Sequence, residues 1–247
     1  MRRRIARLLL PAAVAAAALV LPGAAALAAE DAPSNTPPGT PDYSAAERLL
    51  LMDDQLSALL PRLPLTLGYR FERRGRLDAA FAEPVGIAVA READGSCCHA
   101  RGDFLAGEHR VDLPEVDHAR GNPVVLYFLE HDIRDLNRRT RGSVAYFRKR
   151  IRMALYEAAR IDEVAFVYQG RRTQGRRITI EPYLNDPQPA RLREFLRRRY
   201  VFVLSAEVPG GIAAMQAGTP AADAGAGTEP LLLDELRLDG VELGPPA

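Results

Sequence analysis

Apolar residues in this chain alternate at every second position in two separate groups, and one long helical stretch lies between them. In the first group Leu65, Leu67, Tyr69 and Phe71 share a phase, then Val85, Ile87 and Val89, followed by a turn at Asp94-Gly95. In the second, Val164, Phe166 and Tyr168 lead to a turn over Gly170–Gly175, then Ile178 and Ile180, the run Tyr200–Leu204, Ile212–Met215, and Leu231–Leu243 turned at Asp239-Gly240. A period of two is the mark of a strand with one buried face. Strands that come in runs, instead of alternating singly with helices, predict an antiparallel sheet and an α+β fold.

The stretch between the groups has helical spacing. Asn122 and Pro123 make a helix start, and Leu126, Leu129, Ile133 and Leu136 line one face. Gly142 breaks the pattern, Ser143 caps again, and Val144, Phe147, Ile151, Ala154 and Ala158 form a second stripe. Upstream, Ser44 and Glu47 have capping-box spacing ahead of Leu49, Met52, Leu56, Leu59 and Leu60, predicting an amphipathic helix that runs to Pro61. A short arginine-rich helix is expected from Pro189. The expected architecture is a curved, mainly antiparallel sheet packed on a central helical hairpin, with an N-terminal amphipathic helix.

The N-terminus has a different character. Arg2, Arg3, Arg4 and Arg7 precede the uncharged run Leu8–Leu21, and Ala26-Leu27-Ala28 offers small residues at a cleavage site. That run suits a secretory signal and is short for a membrane span. The expected organisation is a signal peptide over 1–28, a proline-rich flexible leader over 29–42, and a single domain over 43–247 with a low-complexity loop at 217–229. Cleavage removes four of the 33 basic residues and none of the 32 acidic ones, leaving 29 against 32 and a formal charge of −3. That balance excludes a globally basic nucleic-acid coat. The mature chain is expected to be periplasmic or secreted, with no transmembrane segment.

Local signatures of catalysis are missing: the sequence has no G-x-S-x-G, H-E-x-x-H, C-x-x-C or phosphate-binding G-x-x-x-x-G-K. No catalytic residue, cofactor or metal is therefore expected. Cys97 and Cys98 are adjacent, open to a vicinal disulfide, a bond to another chain, or free thiols. A metal site that adds His99 and His109 is disfavoured because adjacent side chains on a strand point to opposite faces. His131 and Asp135 lie four apart on the first central helix, and an exposed surface pair is the expectation.

Arginine supplies the one constellation of interest. Seven basic residues and no acidic one fall between Arg138 and Arg152. Within them Arg141, Arg148 and Arg152 are the candidate anion-binding or ligand-binding set, since guanidinium groups hold phosphate or carboxylate bidentately. A solvated face offset by Glu130, Asp132, Asp135, Glu157 and Asp162 is the competing reading. Lys149 is the only lysine, so an arginine bias across the whole chain favours that competitor.

The stretches 102–108, 122–133 and 146–152 (GDFLAGE, NPVVLYFLEHDI and YFRKRIR) resemble exported proteobacterial proteins without an assigned activity. The resemblance spans roughly Leu65 to Gly211, implies an exported single-domain protein, and transfers no catalytic residue. In outline the expected fold is also similar to the half-barrels that carry lipoproteins or lipids through the periplasm. The expected function is non-enzymatic: an envelope protein that binds an amphiphilic or anionic ligand, or a protein partner, in the concavity between sheet and helices. The alternative is an exported hydrolase or transferase without a local motif.

Overall fold

Strands form wherever the two-residue alternation marks them. The computed structural model describes residues 42–221 and 228–244. The signal segment and nearly all of the leader lie outside those residues. So does the centre of the expected loop at 217–229, whose first residues are still strand. Among the described residues, β1 (Leu65–Arg74), β2 (Phe81–Arg91) and β3 (Cys97–Phe104) precede the helical hairpin. After it come β4 (Arg160–Tyr168), β5 (Arg171–Ile180), β6 (Arg199–Leu204), β7 (Ile212–Thr219), β8 (Leu232–Leu238) and β9 (Val241–Glu242). Arg171 and Arg172, expected in a turn, already belong to β5; the turn is Gln169-Gly170, where both residues have positive φ.

All neighbouring strands are antiparallel, in the order β3-β2-β1-β8-β7-β6-β5-β4-β9. The last pairing ties the middle of the sheet to its far edge. β8 turns at Asp239-Gly240 into β9, which pairs with β4 by setting Val241 opposite Tyr168. Gly240 sits at φ 85°, a conformation that favours glycine, and its carbonyl accepts from Gln169 N–H at 2.8 Å. A sheet with this connection must curve.

The helical hairpin forms as the caps predict. Asn122 Oδ1 accepts Val124 N–H at 3.1 Å at the start of α2 (Val124–Thr140; the first helix, α1, is Ala45–Glu47). Arg141 adopts the left-handed conformation that ends α2, and Ser143 accepts Tyr146 N–H at 3.2 Å to begin α3 (Val144–Glu157). α2 packs on β3 and β7, and α3 on β5. Gly102 on β3 is where Tyr127 of α2 lies against the sheet, and any Cβ there would collide with the Tyr127 ring. The short helix α4 (Pro189–Leu192) runs into a 3-10 turn at Arg193–Arg197 and leads to β6.

The space between sheet and helices is filled, not hollow. Phe71, Phe104, Phe128, Phe147, Tyr183, Tyr200 and Phe202 are all buried there, with the Phe71 ring 6.1 Å from Phe104 and 6.4 Å from Phe128. Each such ring contributes roughly 1.5–3 kcal/mol by leaving water. The concavity expected to hold a ligand is therefore occupied by the chain's own side chains.

The N-terminal helix is shorter than its periodicity predicts. Its capping box forms, with Glu47 N–H donating to Ser44 Oγ at 3.1 Å and Ser44 N–H to Glu47 Oε2 at 3.0 Å. α1 then widens into a π-turn at Arg48–Met52 and stops at Asp53, whose backbone is extended. Asp54 accepts both Ser57 N–H at 2.9 Å and Ser57 Oγ at 2.6 Å, so it starts a separate 3-10 segment, Ser57–Arg62. The Asp54 side chain competes with the helical backbone and outweighs the apolar period.

Candidate functional site

Charged residues fall in the apolar phase of several elements, and the fold brings them together. Arg73 continues the inward series Leu67, Tyr69 and Phe71 on β1; Asp234 lies between Leu232 and Leu236 on β8. Asp132, Asp135 and His131 share the buried side of α2, and Arg198 immediately precedes β6. Arg198 is 0% exposed and Arg73 6%.

Two connected groups result. Arg73 donates bidentately to Asp234, with both contacts at 2.6 Å, and reaches Asp135 at 3.2 Å and Asp78 at 3.0 Å. Its Nη2 also lies 3.3 Å from His131 Nε2, so the imidazole accepts there. Arg139 bridges Asp135 and Asp78, and Arg138 adds a third basic group to Asp135 at 3.0 Å. In the second group Arg198 pairs with Asp132 through two nitrogens and donates to Thr219 Oγ1 at 3.0 Å. Tyr200 donates to Asp132 Oδ2 at 2.5 Å, and the Tyr183 hydroxyl lies 3.2 Å from that of Tyr200. Arg198 Nη2 is 3.9 Å from Asp234 Oδ2, which links the two.

Four arginines thus face four aspartates, and the charges balance. Burial works against charge on Arg73, but Asp234, Asp135 and Asp78 outweigh it and hold the guanidinium charged. Burial likewise pushes the Asp135 carboxyl up, and Arg73, Arg139 and Arg138 bring it below its ordinary value. His131 is pushed down, first by burial and then by Arg73, against the pull of Asp234; its ring packs edge-on to Phe71 at 5.1 Å. Burial and the neighbouring Asp132 raise the Tyr200 phenol well above its usual range. Arg198, Asp132 and Asp234 are sealed from water, whereas Arg139, Asp78 and Arg138 carry the network out to the surface, and the cluster ties α2 to the sheet. The exposed pair expected from His131 and Asp135 is in fact interior.

The outward face of β1 and β2 offers the opposite chemistry. There the register sets Thr66 opposite Ala88, Gly68 opposite Gly86, and Arg70 opposite Pro84. Small side chains along two neighbouring strands leave a trough, with one groove of about 500 Å³ around Thr66, Ala88 and Ala90. The next, of about 560 Å³, lies around Gly86 and Pro84, with the Asp239 carboxylate lying over Gly68. His99, Arg101 and Glu115 line the first groove; Arg70, Asp103, Arg110 and Asp239 line the second. An apolar floor whose rim carries Arg70, Arg101 and Arg110 together with Glu115, Asp103 and Asp239 offers both an apolar surface and charged hydrogen-bonding groups.

The arginines singled out from the sequence lie elsewhere. Arg141 ends α2, with its backbone N–H on Asn137 O at 2.9 Å. Arg148 on α3 donates to Glu130 of α2 at 2.8 Å while remaining 57% exposed. Arg152, one turn on, is 77% exposed and 3.9 Å from Glu47 Oε1. Both helical arginines have an acidic neighbour with which an incoming anion would compete. Cys97 and Cys98 are joined to each other at the start of β3. The two histidines weighed with them part company: His109 stacks on Phe81 at 3.9 Å and bonds Glu83 Oε1 at 2.7 Å, whereas His99 turns to Asp117.

No family model and no curated protein matches the chain. Among solved structures the chain is similar to the Mycobacterium tuberculosis lipoprotein LppX, with 12% identity over 78% of this chain and 93% of that one, and a TM-score of 0.28. The α+β assignment rests on the strand order and register given above. Among the described residues no helix is long and apolar enough to cross a membrane.

Proposed function

We propose that the protein is an exported, non-enzymatic binding protein of the cell envelope, and that its ligand is an anionic amphiphile held in the trough on the outward face of β1 and β2. The observation that carries this reading is the run of small outward residues, Thr66, Gly86 and Ala88, flanked by Arg70, Arg101 and Arg110, with Glu115, Asp103 and Asp239 on the same rim. An acyl chain lying on such a floor gains roughly 0.8 kcal/mol for each methylene it buries, and the rim arginines supply charge-assisted hydrogen bonds to its headgroup. Export is proposed from the basic and apolar pattern of residues 1–28.

Arg141, Arg148 and Arg152 are proposed as a second contact, for an anionic surface or partner. Support comes from Arg148 and Arg152 staying more than half exposed despite their carboxylate neighbours. The primary reading is tested by native mass spectrometry of the protein recovered from the envelope, with and without added anionic single-chain amphiphile. One amphiphile bound per chain is expected. Protein that takes up none, or takes up neutral and anionic amphiphiles alike, would contradict the reading.

A further inference from the structure

Three segments of chain meet at the turn end of the β2–β3 hairpin, and each brings a metal-ligating side chain. Glu92 follows β2, His99 lies on β3, and Asp117 belongs to a strap that follows Glu115. The strap is held in place by its backbone: Ala100 and Val116 exchange hydrogen bonds of 2.9 and 2.8 Å, and Ala119 N–H donates to Cys98 O at 2.7 Å. His118 N–H donates to Glu92 Oε1 at 2.7 Å, which fixes the Glu92 carboxylate against the strap. One ligand atom from each of Glu92, His99 and Asp117 lies within 4.8 Å of the other two.

A second feature concerns the far side of the His99 ring. Nδ1 is 2.8 Å from Asp117 Oδ1, and Nε2 is 3.1 Å from Glu115 Oε2. A carboxylate on the distal nitrogen is the arrangement that orients metal-ligating histidines and raises their basicity. Glu115 is thus a positioning residue, and it leaves Nδ1 directed at Asp117 and Glu92. We propose that Glu92, His99 and Asp117 form a site for a divalent transition metal. Imidazole with two carboxylates suits Zn²⁺, Cu²⁺ or Ni²⁺ over a thiol-seeking ion. Binding displaces the proton from His99 Nδ1 to solvent, and the metal takes its place between the ring and Asp117. His118, whose Nδ1 is 3.9 Å from Glu92 Oε1, is within reach of the same ion.

The test is calorimetric titration with Zn²⁺, in non-reducing buffer, of the protein as the cell makes it. One Zn²⁺ per chain is expected, and His99→Gln weakens binding by at least about tenfold, since even loss of an outer-shell partner has that effect. Asp117→Asn is the second variant, at a side chain 72% exposed where misfolding is not expected, and it weakens binding similarly. Cu²⁺ supplies a spectroscopic check: electron paramagnetic resonance shows imidazole nitrogen coupling in the wild type and loses the His99 contribution in His99→Gln. Wild-type protein that binds no Zn²⁺, or variants that bind as tightly as wild type, overturns the site. Because metal binding is read directly, its failure leaves the amphiphile trough untouched.

Discussion

Removing Asp132 should do far more damage than removing Asp132 and Arg198 together. Arg198 is wholly buried, and its guanidinium is satisfied by Asp132, by Thr219 at 3.0 Å and, at longer range, by Asp234 at 3.9 Å. In Asp132→Leu the arginine keeps only the last two, and Tyr200 loses the acceptor that it holds at 2.5 Å. Breaking one side of a buried ion pair costs about 3–5 kcal/mol. The residual contact with Asp234 places this case near the lower figure, about 3 kcal/mol. Arg198→Met strands Asp132 with a single Tyr200 hydrogen bond and costs a similar amount. In the double variant no charge is left unpaired, and the loss should fall below about 2 kcal/mol, because an apolar pair of matching volume is close to neutral. Urea denaturation of the four proteins gives the cycle, and the coupling should exceed about 2 kcal/mol. Each single variant should also melt roughly 6–12 °C lower, at about 2–4 °C per kcal/mol for a domain of this size. Single losses under about 1 kcal/mol, or singles that simply add in the double, would refute the claim that these charges compensate one another in a water-free core.

The His131 ring predicts a pH dependence. Its folded pKa lies below its unfolded value, so its contribution to stability is present above the ordinary histidine range, near pH 6.5, and is lost as pH falls through the folded value. The limiting slope is about 1.4 kcal/mol per pH unit, and His131→Gln should remove that part of the slope in chemical denaturation below pH 6.5, which an unchanged profile would contradict. Asp117 holds His99 above its usual value and gives the opposite trend, so the measure is the difference between variant and wild type. Replacing Arg141, Arg148 and Arg152 by Gln should abolish salt-sensitive binding to anionic liposomes with the circular dichroism unchanged. Undiminished binding removes the set as a contact, and an unfolded variant shows that the arginines hold the hairpin instead. Intact mass of the exported protein should correspond to a chain that begins at Ala29, and a retained N-terminus would contradict the signal assignment.

Periodicity carried most of the fold because one-sided burial of strands writes itself into every second residue. Leu67, Tyr69 and Phe71, then Val85, Ile87 and Val89, face inward as their spacing predicts. Strand order was another matter: the β1–β8 and β4–β9 pairings join segments far apart in sequence, and no local pattern encodes them. The buried ionic cluster had a local trace that is easy to discount. Arg73 and Asp234 each continue an apolar phase, as do Asp132 and Asp135 on α2, and a charge in such a phase points to a partner inside the core. The trough left a weaker trace, since small residues at outward positions matter only once β1 and β2 are in register. The arginine run 138–152 stands out by density alone. Yet Arg139 is spent on Asp78 and Asp135, and Arg148 on Glu130, contacts that depend on how α2 and α3 pack.

An anionic amphiphile that lies in the outward trough on β1 and β2 would be displaced by filling the floor. Ala88→Trp places an indole over Thr66 and Gly86 on the outward side, away from Val85, Ile87 and Val89, which pack the core. Fluorescence titration with cis-parinaric acid, an anionic acyl probe, compares the variant with wild type at matched folding. Saturable binding by the wild type is expected, with an affinity lower by at least about tenfold, or about 1.4 kcal/mol, in Ala88→Trp. Equal affinity in the two proteins would contradict it.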